Sequence, residues 1–127
     1  MPMQHHDRRQ HVRVRVHRLT LLFHRGGVLQ ILLFFRNADQ KAPVVDCSDG
    51  GLLIIVSDAI ERGTSITLKM HPSFFPVELT LKGKVSHCRR HAGVDGKTCY
   101  EVGVELRKPT KDYLLMVKRL RADPSLG

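Results

Sequence analysis

Between Val77 and Val85 nearly every second residue is apolar: Val77, Leu79, Leu81 and Val85 alternate with Glu78, Thr80, Lys82 and Lys84. Successive side chains point to opposite faces only in extended backbone, so this pattern demands a strand with one buried and one wet face. Gly83 marks a bend or bulge within it. The same period returns at Ile66, Leu68 and Met70 against Thr67 and Lys69, and at Tyr100, Val102, Val104 and Leu106 against Glu101, Gly103 and Glu105. Val44-Val45 and Leu52 to Val56 add two more apolar strands. They flank the corner Asp46-Cys47-Ser48-Asp49-Gly50-Gly51.

The connections between these strands carry turn chemistry. His71 to Pro76 holds two prolines that cannot donate to a ladder, Gly93-Val94-Asp95-Gly96 is a turn, and Asn37 to Pro43 is a polar turn region ending in proline. Asp58 to Gly63 forms a loop or short helical turn. His24-Arg25-Gly26-Gly27 suits a hairpin between Leu19–Phe23 and Val28–Phe35, although the weak alternation leaves a helix open for the second segment. After Pro109, Thr110 can cap a helix over about 110–121, with Tyr113, Leu114, Val117 and Leu120 on one face. Lys118, Arg119 and Arg121 lie toward its carboxyl end, and Pro124 stops it. Short antiparallel strands followed by one amphipathic helix read as a mainly β fold: a small closed or nearly closed barrel with the helix over an opening or flank. With 127 residues and no internal repeat, one such domain over residues 19–127 accounts for the chain.

Residues 1–18 differ in kind. Two adjacent His and several Arg with few apolar residues give an arm that cannot bury much surface, and it is expected to be flexible without a ligand. It has no apolar core of a signal peptide, and Leu19–Phe35 is too polar at His24 to Gly27 to span a bilayer. The excess of Leu and Phe in that stretch admits a partner or homodimer surface. Cys47, Cys88 and Cys99 are odd in number and lack close pairing, which fits a reducing, cytoplasmic setting. A formal charge of +9 favours phosphate-bearing partners without choosing among nucleotide, nucleic acid and anionic lipid.

Two groups of residues sharpen that choice. Arg9-x-x-x-Arg13, preceded by Arg8, supplies guanidinium forks that match guanine O6 and N7 or bridge phosphate oxygens. Asp46-x-Ser48-x-x-Gly51 supplies an acceptor for guanine N–H groups, a hydroxyl donor and a position where a flat base can approach the backbone. Together with the strand Tyr100 to Leu106 and the C-terminal helix, these motifs resemble the PilZ domain family across nearly the whole chain. The resemblance implies a six-stranded antiparallel barrel that is a receptor for cyclic di-GMP and not an enzyme. It implies that Arg9 and Arg13 grip guanine edges and phosphates, that Asp46, Ser48 and Gly51 line the barrel side, and that Arg8 occupies the position associated with an intercalated ligand dimer. The 33 positions between Arg13 and Asp46 are many for the family, and the stretch between them is unusually apolar.

Plainer readings compete. The arginines alone describe a solvated basic tail, and Asp46 to Gly51 alone describes a turn. His87, Cys88, His91 and Cys99 fit no zinc spacing, because a strand puts His87 and Cys88 on opposite faces, so no metal is expected. No nucleophile, base and orienting acid form a unit, so no catalytic residue is assigned, and no cofactor. A nucleotide-independent interaction module and a barrel binding RNA or single-stranded DNA are the rival functions. Against the latter stand an aromatic content of 6% and the absence of Trp. The expected output is an order-from-disorder change of the arm, passed to a protein partner.

Overall fold

The computed structural model describes residues 12–26, 40–93 and 95–127. Seven strands run through them in chain order: β1 (Val14–Arg15), β2 (Thr20–Arg25), β3 (Gln40–Ser48), β4 (Gly51–Val56), β5 (Ser65–Met70), β6 (Leu79–Ala92) and β7 (Thr98–Leu106). One helix, α1 (Lys111–Ala122), follows, and a single turn of 3-10 helix at Pro124–Leu126 comes after it. All pairings are antiparallel. The order β3-β2-β5-β6-β7-β4 closes on itself through a β3–β4 ladder, which makes the expected six-stranded barrel. Closure pairs these strands around a ring, while β6 beyond Val85 has β7 as its one strand partner among them.

The short β1 shares with β2 one side of β3. Arg15 pairs with Asp46 and Thr20 pairs with Pro43, so the four residues Val16–Leu19 face only Val44 and Val45. That excess is taken up as a kink. Val16 N–H donates to Val45 O at 2.9 Å, Val44 N–H donates to Leu19 O at 2.9 Å, and the freed N–H groups of His17 and Arg18 donate to Gly127 O at 2.9 and 2.8 Å. Of the arm expected over residues 1–18, residues 1–11 lie outside the described ones, whereas Val14–Arg15 joins the sheet as β1. Val14 and Val16 are the reason: they alternate with Arg13 and Arg15 and bury themselves in the core.

The barrel interior is filled by the apolar partners of the alternation, among them Phe23, Val44, Ile54, Ile66, Leu68, Leu81, Val85 and Val102. Each such side chain contributes about 1.5–3 kcal/mol on burial. The expected strands at 64–70 and 100–106 are present with small changes of boundary. The turn at Gly93–Gly96 is also found: Gly93 N–H donates to Lys97 O at 2.7 Å, and Gly96 takes φ of 82°. Gly26, at the end of β2, has φ of 84°. Val28–Phe35 lies outside the described residues.

Four local expectations are corrected. Gln40–Pro43, expected as a turn, is the first part of β3. Its polar residues are exposed, Ala42 alone is fully buried, and Pro43 stands just before the β3–β4 ladder begins at Val44, so the missing N–H costs that ladder nothing. The strand expected from Val77 to Val85 instead runs from Leu79 to Ala92, because it goes on pairing with β7 beyond the barrel's apolar pattern. The bulge lies not at Gly83 but between Val85 and His87, whereas Gly83 allows close approach: a Cβ there would lie 2.6 Å from Glu105 O. On α1 the buried face is Tyr113, Met116, Val117 and Leu120, all fully buried, and Leu114 is exposed. Thr110 caps this helix as expected, its hydroxyl accepting from Tyr113 N–H at 3.1 Å.

Candidate functional site

The corner between β3 and β4 is tight because Ser48 pairs with Gly51 and only Asp49 and Gly50 turn the chain. Glycine at position 51 is required by the barrel wall: a Cβ would overlap the carbonyl oxygen of Val104 on β7. The approach of backbone expected at Gly51 is therefore to a neighbouring strand, a need independent of any ligand. The corner is anchored from below by α1. Tyr113 shares its hydroxyl proton between Ser48 O at 2.6 Å and Gly51 O at 3.1 Å, satisfying two carbonyls of the turn. Burial, with the nearby Cys47 and Asp49 adding to it, holds this phenol well above its ordinary range. Cys47 is fully buried beside it, its thiol pushed up to about 12 mainly by burial and then by Asp46.

Arg13 reaches the same corner from the residue preceding β1. Its Nη1 lies 2.9 Å from Asp46 Oδ1, with the arginine side chain 60% and the aspartate 16% exposed. More than half of the arginine side chain therefore faces solvent. Ser48 is buried at 5% exposure, and its hydroxyl lies 3.4 Å from Gly51 O, a long contact that leaves much of its donor capacity unused. Arg121, near the carboxyl end of α1, places Nη2 3.1 Å from Asp49 Oδ1 and 3.2 Å from Val12 O. It thereby ties helix, corner and incoming N-terminal segment together.

A trough of about 430 Å³ opens on the outer face of the wall, bordered by Arg13, by Ser48 and Gly50 to Leu52, by Ser86 and His87 of β6, and by Gly103 to Glu105 of β7. Of the sequence-selected residues, Arg13, Ser48 and Gly51 border it directly, and Asp46 joins it through Arg13. Arg8 and Arg9 lie outside the described residues. Tyr113, Arg121, Ser86, His87 and Glu105 were not anticipated. Tyr113 was visible only as a member of the buried helix face, and no local pattern announces that a residue in β6 meets the corner. The trough offers the guanidinium of Arg13, the hydroxyls of Ser48 and Ser86, three glycines and the carboxylate of Glu105, a set suited to a planar, hydrogen-bonding ligand with an anionic group for the arginine. His87 and Cys88 do lie on opposite faces of β6. No group of three or more His, Cys, Asp or Glu that could hold a metal occurs among the described residues. Among those residues no helix is long and apolar enough to cross a membrane.

Comparison with known proteins identifies the family and the fold. The family model described as PilZ domain matches residues 7–122. No match is found among curated proteins. Among solved structures, the PilZ domain of YcgR from Escherichia coli, solved with c-di-GMP, is similar with a TM-score of 0.63 at 11% identity, over 89% of this chain and 88% of that one. MrkH of K. pneumonia is similar with a TM-score of 0.64 at 14% identity, over 90% of this chain and 48% of that one. Its c-di-GMP complex gives 0.55 at 14% identity, over 91% and 52%. This chain thus spans about half the length of MrkH, and at these identities the likeness establishes the fold.

Proposed function

Because the chain belongs to the PilZ domain family, we propose that it is a receptor for cyclic di-GMP and that the corner trough is its binding site. One observation carries this reading: Arg13 borders a single cavity together with Ser48 and Gly51 from far along the sequence, and Asp46, 33 positions from Arg13, pairs with that arginine beside it. The structures of YcgR and MrkH with c-di-GMP support it by likeness of fold. Arg13 supplies a fork for a guanine edge or phosphate, and Asp46 orients that fork or accepts from guanine N–H groups. Ser48 donates from the turn. Arg8 and Arg9 complete the cationic side, and Arg8 favours an intercalated pair of ligand molecules.

The role is that of a receptor in the cytoplasm, with no bond made or broken. Ligand changes the conformation of the N-terminal arm that carries Arg8 and Arg9 relative to the barrel, and a protein partner reads the new surface. Titration calorimetry with cyclic di-GMP tests the binding and its stoichiometry; absence of heat at high micromolar ligand overturns the reading. Amide exchange in the residues preceding β1 tests the conformational part: exchange should slow on binding, and unchanged rates would argue against a switch. A pulldown with and without cyclic di-GMP tests the partner.

A further inference from the structure

The bulge in β6 breaks the alternation of that strand. Val85 points inward, Ser86 and His87 both lie exposed on the outer face, and Cys88 then turns back toward the core. Bulges of this kind redirect side chains. The redirected imidazole lies on β7 at Gly103, its register partner: a Cβ there would overlap His87 Cε1 and lie 2.5 Å from Nδ1 and 2.9 Å from Nε2. Gly103 has no φ that demands glycine, so the space taken by the ring is what excludes a side chain. Ser86 secures the arrangement, its hydroxyl donating to Gly103 O at 3.1 Å and standing 3.4 Å from His87 Nδ1.

His87 is the one aromatic ring among the residues bordering the trough. It also borders a neighbouring pocket with Arg90 and Tyr100. We propose that His87 is a base-stacking residue of the corner site, a purine of the ligand resting on the imidazole while Arg13 holds the guanine edge or phosphate, and that Gly103 is glycine in order to seat that ring. The inference rests on the proposed binding of cyclic di-GMP. Stacking suits the place: every purine has an apolar face, and no other aromatic ring borders the trough to cover it.

Calorimetric titration with cyclic di-GMP of the unaltered protein and of Arg13→Ala, His87→Ala, His87→Phe and Gly103→Ala tests it. His87→Ala should weaken binding about tenfold, the size expected for one base–aromatic stack. His87→Phe should restore most of the loss. Gly103→Ala, which expels the ring, should weaken binding similarly, and adding His87→Ala to it should cost little more, because both act through one contact. As His87 is exposed, His87→Ala should keep the thermal midpoint of the unaltered protein, so its result stands whether or not Gly103→Ala folds. Binding by His87→Ala equal to that of the unaltered protein, while Arg13→Ala is weakened, overturns the stacking role alone. So does an equal loss in His87→Ala and His87→Phe. No binding by the unaltered protein overturns both the stacking role and the reading it rests on.

Discussion

Arg13 Nη1 stands 2.9 Å from Asp46 Oδ1, so the cation preceding β1 is joined to the strand that leads into the corner. Because the arginine is 60% exposed, this pair is worth no more than about 1 kcal/mol to the fold. Arg13→Ala and Asp46→Ala should therefore unfold near the midpoint of the unaltered protein. For the proposed ligand the consequence is larger: loss of one guanidinium fork should lower affinity for cyclic di-GMP roughly tenfold to a hundredfold. Denaturant midpoints and calorimetry on the same samples separate the two effects.

Ser48 and Gly51 should part company in the same pair of assays. Ser48→Ala removes a hydroxyl whose contact with Gly51 O is long, so its cost in stability should be about 1 kcal/mol or less, with the main effect on binding. Gly51→Ala drives a methyl group into the Val104 carbonyl and should destabilise the barrel by about 1–3 kcal/mol before any question of ligand arises. Equal stability of the two variants would contradict the close approach of β4 and β7.

Tyr113 makes the corner sensitive to alkali. Its phenol is held above the ordinary value of 10.0 by burial first and by Cys47 and Asp49 next, and the Cys47 thiol is raised from 9.0 to about 12. Both groups remain protonated in the folded chain at pH values where the unfolded chain has lost those protons. Their contribution is intact below about pH 9 and is lost as pH rises through the raised values, since there the unfolded state binds fewer protons. Urea midpoints measured from about pH 8 to about pH 11 should fall with pH. Tyr113→Phe should start lower by about 1–3 kcal/mol, with Ser48 O losing the phenol and Gly51 O keeping only the long contact to the Ser48 hydroxyl, and should fall less steeply.

The cysteines offer a check that involves no ligand. Cys47 is fully buried with its thiolate disfavoured, whereas Cys88 and Cys99 are half-buried. A thiol reagent at neutral pH should modify Cys88 and Cys99 in the native protein and reach Cys47 only after denaturation. Rapid modification of Cys47 in the native state would mean that the interior beneath the corner is open.

How legible this was in the sequence follows from what a local pattern encodes. Alternation at Ile66 to Met70 and Tyr100 to Leu106 reports which face is buried, and both strands are found there. It does not report partners or interruptions. Gln40–Pro43 is polar and ends in proline, so its place in β3 is supplied by pairing with β2. β1 owes its position to Val14 and Val16 among arginines, too few residues to announce a strand alone. Arg13, Asp46, Ser48 and Gly51 were selectable because their chemistry fits one ligand. Tyr113, Arg121 and His87 meet the corner only through closure of the barrel, a relation over long sequence separations. His87 was further hidden by a bulge that changes the face of one residue.

The central claim, a split site for cyclic di-GMP at the β3–β4 corner, is tested most directly by calorimetric titration of the unaltered chain and of Arg13→Ala with that nucleotide. The account predicts saturable binding by the unaltered chain, weakened roughly tenfold to a hundredfold in a variant that remains folded. No heat from the unaltered chain at high micromolar nucleotide, or equal affinity in the two proteins, would contradict it.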